Sequence, residues 1–403
     1  MNAMRLDDLL RGIATPEHGD TMVSGLTQDS HAVRAGDAFV ALAGAKHHGI
    51  EFAPAAITRG AIAVLAEPPS PIPDSRFPIP VAWIDDLRSH LGQIAARFFD
   101  DPSVAMTVVG VTGTSGKTST VQLLAQAFAQ LGKRAATIGT LGAGLHGAIH
   151  AGERTTPDVI RVHGLMAEFR EAGATDVAME VSSHALEQHR VDGIHFDVAV
   201  FTNLTRDHLD YHGTMEAYGA AKAKLFAWPN LRAAVINVDD AFGRELAAEF
   251  KKNQRHPGQV MTGTQIQGRK KIIRYGIDTA DVDIRASEVR THSDGIDFHL
   301  VTPWGEAAVH SGLLGRFNVA NLLAVAGVLG ALEVPFARIR AALEALQPIN
   351  GRMNRLGGGA LPLVVVDYSH KPDALEQVLA ALRAHCDGKL LCVFGCGGER
   401  DAG

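Results

Sequence analysis

A chain of 403 residues, 46% hydrophobic and 20% charged, carries enough apolar material for two or three cores rather than one. Its net charge of −6 lacks the basic excess of a general nucleic-acid binder. No apolar run approaches the roughly 18 residues of a membrane span. The opening stretch "MNAMRLDDLLRGI" has no unbroken apolar segment of the kind a signal peptide needs. Cys386, Cys392 and Cys396 form no CxxC pair, so the expectation is reduced thiols in a cytoplasmic protein, and the sequon at Asn203 then carries no meaning.

In chain order, residues 1–102 hold short apolar runs, "AFVALAG" and "GAIAVLAE", with a helical pattern between them. The Pro-rich stretch 67–80 reads as a surface loop, because "VAWI" resumes as a strand after it. From Ser103 onward, "MTVVGVTG", "DVAMEVSS", "DVAVFTNL" and "AAVINVDD" alternate with longer helical patterns, as the strands of a parallel α/β sheet do. Over 272–310 the pattern changes to alternating runs with a hairpin expected at "HSDGIDF", and "NVANLLAVAGVLGALEV" follows as a helix. A third block opens at "NGRMNRL". It predicts a strand at "LVVVDYSH", a helix started by Pro372, and a second strand at "KLLCVFG". A two-stranded parallel unit cannot cover its own apolar faces, so this block reads as an incomplete domain.

The stretch "GVTGTSGKTST" (110–120) lies between an apolar strand and an amphipathic helix. In that context backbone N–H groups and the positive helix end can surround phosphate oxygens. Lys117 would reach the β- and γ-phosphates, and the Thr118 hydroxyl would sit on Mg²⁺. The strict G-x-x-x-x-G-K-[ST] spacing is not met, since Val111 stands at the first position and glycines fall at 110 and 113. The loop predicts a bound triphosphate, and does not choose among hydrolysis, transfer to an alcohol and activation of a carboxylate.

The choice rests on "MEVSSHALEQHRV" (179–191), "FTNLTRDHLDYHG" (201–213) and "YGAAKAKLF" (218–226). With "GTSGKTS", and with "DSHAVRAGDAFVALAGAKHHG", "VVVDYSHKPDAL" and "VFGCGGERD" at either end, the chain resembles the Mur ligase family of peptidoglycan synthesis over essentially its whole length. The resemblance implies a three-domain α/β architecture. Its parts are an N-terminal UDP-binding domain (1–102), a central P-loop-type ATPase domain with a parallel sheet (103–346), and part of a Rossmann-like amino-acid domain (347–403). It implies a monomeric, soluble enzyme acting on small molecules. ATP and Mg²⁺ would phosphorylate the free carboxylate of UDP-MurNAc-L-Ala-D-Glu, and a diamino acid would attack the acyl phosphate. Meso-2,6-diaminopimelate is favoured over L-lysine on the strength of "FGCGGERD", with Arg400 then on the amino acid's carboxylate. The alternatives are a non-catalytic fragment that binds nucleotide or UDP-sugar and, within enzymes, folylpolyglutamate synthase. The N-terminal block speaks against the last.

The resemblance also implies roles for single residues. Gly113, Thr114, Ser115, Gly116, Lys117, Thr118 and Ser119 would hold the phosphates. Thr118, Glu180 and His208 would hold metal, together with Lys222 once CO₂ has converted it to a carbamate (N6-carboxylysine). Asn318 and Asn321 would approach the adenine. Arg352 and Asp367 would reach phosphate and ribose from the third domain, with His370 at the same interface. Ser30, the segment Ala45, Lys46 and His47, and then Thr155, Thr156, Ser182, Gln188 and Arg190, would read the UDP-sugar dipeptide. The chain departs from the family pattern at Ser115, Arg154 and Lys371.

Overall fold

The structure is a computed structural model that describes residues 3–44, 46–68, 77–255, 270–358, 361–369, 372–386 and 388–395. The N-terminal unit is a four-stranded parallel sheet in the order Gly25–Thr27, Asp37–Ala41, Ala63–Ala66, Val81–Trp83. Helix Leu87–Phe98 presses Leu91, Ile94, Ala95 and Phe98 onto one face of it. The shorter helix Ala53–Thr58 covers the other face with Ala53 and Ala56.

The central unit is an eleven-stranded mixed sheet. Its order from one edge is Ala148–His150, Gly142–Leu145, Ala135–Gly139, Asp176–Glu180, Thr107–Thr112, Val198–Phe201, Ala233–Asn237, Lys271–Gly276, Ile284–His292, Gly295–Thr302, Gly305–Ser311. From Ala135–Gly139 through to Ile284–His292 the neighbours pair in parallel. Parallel strands are buried on both faces and so read as near-continuous apolar runs. Here alternate residues feed two cores. Val109, Val111, Val200 and Val235 face helices Lys117–Gln130 and Arg316–Ala331, whereas Val108, Val177, Met179, Phe201 and Ile236 face helices Val159–Glu171 and Ala241–Arg255. The hairpin expected at 292–298 forms, with His292 paired to Gly295 in an antiparallel ladder. Val159, Ile160 and Ala167 also enter the N-terminal core, so the first two units share a packed boundary.

After helix Phe336–Ala345, the chain makes an antiparallel pair, Asn354–Gly357 with Leu363–Val366, and helix Pro372–Arg383. Two expectations are corrected here. Leu363–Val366 pairs antiparallel with Asn354–Gly357, the segment just before it in sequence, and not in parallel with the following one. "KLLCVFG" forms no strand over the described residues 389–395. No strand there pairs with it, and Leu391, Val393 and Phe394 stay 85%, 99% and 75% exposed. Among the described residues no helix is long and apolar enough to cross a membrane.

Candidate functional site

Strand order reverses around Thr107–Thr112, whose neighbours are Asp176–Glu180 on one side and Val198–Phe201 on the other. Ligand crevices of open α/β sheets lie outside the carboxyl ends of the strands at such a reversal. The register places Glu180 opposite Val111 and Phe201 opposite Thr112, so the segments following all three strands converge on the loop 113–116.

The loop is held from the Phe201 side. Asn203 accepts Ser115 N–H at its side-chain oxygen (2.9 Å), donates from Nδ2 to Ser115 O (3.0 Å), and accepts Thr114 N–H at its backbone carbonyl (2.8 Å). Thr202 Oγ1 donates to the same Ser115 carbonyl at 2.7 Å. Gly113 has φ 146°, and a Cβ there would lie 1.9 Å from Thr202 Oγ1, so neither the backbone nor the space admits a side chain. Gly116 turns the chain into helix Lys117–Gln130, whose first N–H groups have no intrahelical acceptor and face the loop. Thr118 is buried at the first turn, Ser119 is half-buried and Ser115 is exposed.

Two lysines meet on one carbonyl. Lys117 Nζ donates to Gly113 O and Thr114 O, both at 2.9 Å, and Lys222 Nζ donates to Gly113 O at 2.8 Å. Lys222, on helix Met215–Ala223, is 1% exposed and lies 4.2 Å from the centroid of the Tyr218 ring. Burial first, and the Lys117 charge second, lower its pKa to about 6, with Asp207 opposing. Burial also lowers the Lys117 pKa, against the pull of Glu180 and Asp207 and with the repulsion of Arg352. Arg352 thus lies within electrostatic reach of the loop, with its guanidinium 5.0 Å from the Tyr368 ring centroid.

Glu180 is 1% exposed and held rather than free. Its two oxygens accept Thr140 N–H at 2.7 Å and Thr140 Oγ1–H at 3.1 Å, and its carboxylate occupies the space a side chain at Gly139 would fill. From there a polar chain runs outward. The Thr140 and Thr155 hydroxyls are 3.1 Å apart, and Thr156 Oγ1 donates to Glu180 O at 2.8 Å. Arg190 donates to Thr156 O at 3.1 Å and also to the side-chain oxygen of Gln188, which itself donates to the Tyr211 hydroxyl at 3.1 Å. Ser182 caps the short helix Ser183–Glu187 through Ala185 N–H. Thr155, Thr156, Ser182, Gln188 and Arg190 are therefore one neighbourhood, joined to Glu180.

His208 takes a left-handed backbone (φ 52°) at the start of Leu209–His212 and receives Asp207 at 3.6 Å. Its ring sits edge-on to His184 (4.9 Å), within a cluster that also holds Tyr211, His212 and Tyr218. Burial, then the neighbouring His208 and His212, lower the His184 pKa. Asn318 and Asn321 are buried behind the loop. Asn318 Nδ2 donates to Leu314 O, Asn321 Nδ2 donates to Asn318 Oδ1, and Thr120 Oγ1 donates to Asn321 Oδ1. The Asp367 carboxylate accepts Met353 and Ser369 N–H and shapes its own turn. Ser30 is buried in the N-terminal unit, while Lys46 and His47 are exposed and His47 pairs with Glu51. Ala45, His370, Lys371 and Arg400 lie outside the described residues.

Sequence reasoning overlooked Thr140, Thr202, Asn203, Asp207 and Tyr218. All but Thr140 stood inside the quoted motifs, where their polar type after an apolar strand was the available signal. Among the described residues no group of three or more His, Cys, Asp or Glu converges on a metal position. Mg²⁺ asks for less: one or two protein oxygens, with waters and phosphate oxygens completing the shell. The Glu180 carboxylate and Thr118 hydroxyl supply hard oxygens of that kind.

The chain matches the Mur ligase middle domain over residues 111–329, the Mur ligase family catalytic domain over 22–99 and the Mur ligase glutamate ligase domain over 351–403. The chain belongs to the Mur ligase family, with its three-domain architecture and parallel-sheet central domain. It is 54% identical over 404 residues to the UDP-N-acetylmuramoyl-L-alanyl-D-glutamate--2,6-diaminopimelate ligase of Xanthomonas oryzae pv. oryzae (strain MAFF 311018), covering 100% of this chain and 78% of that protein. Identity to the ligase of the same name from Xylella fastidiosa (strain 9a5c) is 53% over 406 residues, with the same shares. A solved structure of a ligase of that name superposes with TM-score 0.81 at 33% identity, covering 100% of this chain and 78% of that one.

Proposed function

We propose that this ligase joins the free carboxylate of UDP-MurNAc-L-Ala-D-Glu to an amine of meso-2,6-diaminopimelate at the expense of ATP. The observation that carries the reading is the meeting of Lys117 and Lys222 on the Gly113 carbonyl, with the held carboxylate of Glu180 and the guanidinium of Arg352 within electrostatic reach of Lys117. A carboxylate approaching a triphosphate brings two anions together, and catalysis is chiefly neutralisation and positioning. Lys117 exchanges its two loop carbonyls for phosphate oxygens, and the Arg352 fork binds from the C-terminal unit. The network from Thr155 to Arg190 orients the sugar-peptide. The carboxylate oxygen bonds to the γ-phosphorus as the bond to the β-bridging oxygen breaks. The amine then attacks the acyl carbon, phosphate leaves with the bonding pair, and the ammonium proton is lost to solvent.

Thr118, Glu180 and His208 would hold Mg²⁺, which when bound neutralises phosphate charge. The amine of Lys222, neutral above about pH 6, is the form that adds to CO₂: its nitrogen bonds to carbon, one proton leaves, and a carbamate results. That change replaces a neutral amine by an oxygen anion next to Lys117. Mixing this chain with ATP, Mg²⁺, UDP-MurNAc-L-Ala-D-Glu and either diamino acid tests the reading. Tripeptide with diaminopimelate and dipeptide-dependent ADP release are expected. With hydroxylamine in place of the amine, the acyl phosphate is trapped as a hydroxamate. No hydroxamate and no tripeptide would overturn the proposal.

A further inference from the structure

His385 follows helix Pro372–Arg383 in the C-terminal unit, yet it is 5% exposed and, among the described residues, its ring hydrogen-bonds to the central unit. Nε2 lies 2.8 Å from the backbone nitrogen of Gly315, and Nδ1 lies 2.6 Å from the carbonyl oxygen of His292. A backbone N–H can only donate and a carbonyl can only accept. The partners therefore assign the tautomer: the proton is on Nδ1 and the lone pair is on Nε2.

Gly315 is a soft point in the chain. It has φ 86° and immediately precedes helix Arg316–Ala331, so its N–H direction needs an external partner. Its own carbonyl accepts Asn318 N–H at 2.8 Å, and the preceding carbonyl, of Leu314, accepts the Asn318 side chain at 2.8 Å. Asn318 then holds Asn321 at 2.9 Å, and Asn321 holds Thr120, one turn into the phosphate-loop helix, at 3.3 Å. The hydrogen bonds form one line from the C-terminal unit to the back of the loop. Two further bonds cross the same boundary, Thr291 Oγ1 to Ala384 O (2.8 Å) and Arg355 to Asp294 O (2.6 Å), so the docking survives loss of any one of them.

We infer that His385 is a positioning residue: through the Gly315 N–H it couples the seating of the C-terminal unit to the Asn318–Asn321–Thr120 support of the phosphate loop. Its consequence for nucleotide rests on the function proposed above, whereas its hold on Gly315 does not. The two imidazole nitrogens can be separated by substitution. Asparagine reproduces the reach of Nδ1, and keeps the donor to His292. Glutamine reproduces the reach of Nε2, and keeps an acceptor for Gly315.

The test compares His385→Asn, His385→Gln and His385→Phe with the parent chain by amide exchange at Gly315 and by ATP affinity in titration calorimetry. Loss of one such bond corresponds to about a three- to tenfold effect. Asn and Phe are expected to speed exchange at Gly315 and to weaken ATP by that factor, and Gln is expected to stay near the parent. Parent-like exchange in both Asn and Phe, or a Gln variant as fast as Phe, would overturn the coupling. If no variant and not the parent binds ATP, the functional proposal fails, and the exchange at Gly315 still decides the hold.

Discussion

Replacing Lys222 by Met probes the two-lysine arrangement most directly, since Met keeps the unbranched shape and removes the ionisable end. In the unfolded chain the lysine titrates at its ordinary value of 10.5, and in the fold at about 6. Between those values the unfolded state binds the proton that the folded state lacks, so stability rises with pH and is lost as pH falls toward 6. One group contributes about 1.4 kcal/mol per pH unit inside that window. From pH 6.5 to 8.0 the unfolding free energy of the parent should therefore gain roughly 2 kcal/mol relative to Lys222→Met. At pH 7 the Met variant should be the more stable chain, because the lost hydrogen bond to Gly113 O is worth only about 1 kcal/mol. Denaturant titrations of both chains at the two pH values in CO₂-depleted buffer measure this. Added bicarbonate should then stabilise the parent alone, by mass action on the neutral amine. A parent–variant difference that stays flat across the window would mean that the buried amine keeps its proton, and the reasoning from burial would be wrong.

Other substitutions reach other parts of the site. Gly113→Ala sets a methyl 1.9 Å from Thr202 Oγ1 at a φ that disfavours it, and should abolish ATP binding in calorimetry while costing about 1–3 kcal/mol of stability. Asn203→Ala removes both side-chain bonds to the Ser115 peptide and should raise the KM for ATP about tenfold with little change in the KM for the sugar-peptide. Thr140→Val deletes one donor to Glu180 and leaves the backbone donor. It should lower kcat about tenfold and raise the Mg²⁺ concentration needed for half-maximal rate.

How much was legible follows from what each element buries. The strands around the loop are covered on both faces, and their unbroken apolar letters announced them. The turn at 293–294 joins alternating runs and was equally plain. Asn354–Gly357 was not, because Leu356 is its one large apolar residue and all four residues are at least partly exposed, so nothing periodic marks it. "KLLCVFG" shows the converse: an apolar run is a strand only when a neighbour accepts its ladder. For the candidate site, the motifs pointed to Lys117, Glu180, His208 and Lys222, and the structure brings Lys117 and Lys222 together on Gly113 O. Thr140 was not, since a threonine after a strand is an ordinary residue until a carboxylate from another strand lands on it. The asparagine at 203 was dismissed as a sequon, and its clamp on Ser115 depends on two strands being adjacent, which no local pattern states.

The same adjacency explains how the protein alone holds the loop in shape. Its peptides are fixed by Asn203 and Thr202 from the side, and by the Thr120–Asn321 bond from behind, before any phosphate arrives. What remains adjustable is the cations. Lys117 spends two bonds on loop carbonyls, and Lys222 competes for one of them, so a triphosphate finds donors already gathered but partly engaged with each other's acceptor. Preorganised donors cost little reorganisation when negative charge develops among them. Burial, with the repulsion of Lys117 added to it, holds Lys222 neutral near pH 7, and the repulsive part is relieved when either lysine meets an anion. A polyanion beside Gly113 should thus raise the Lys222 pKa. Titrating Lys222 with and without a bound triphosphate by ¹³C resonance of its ε-carbon would measure the rise, and an unchanged midpoint would place the phosphates elsewhere.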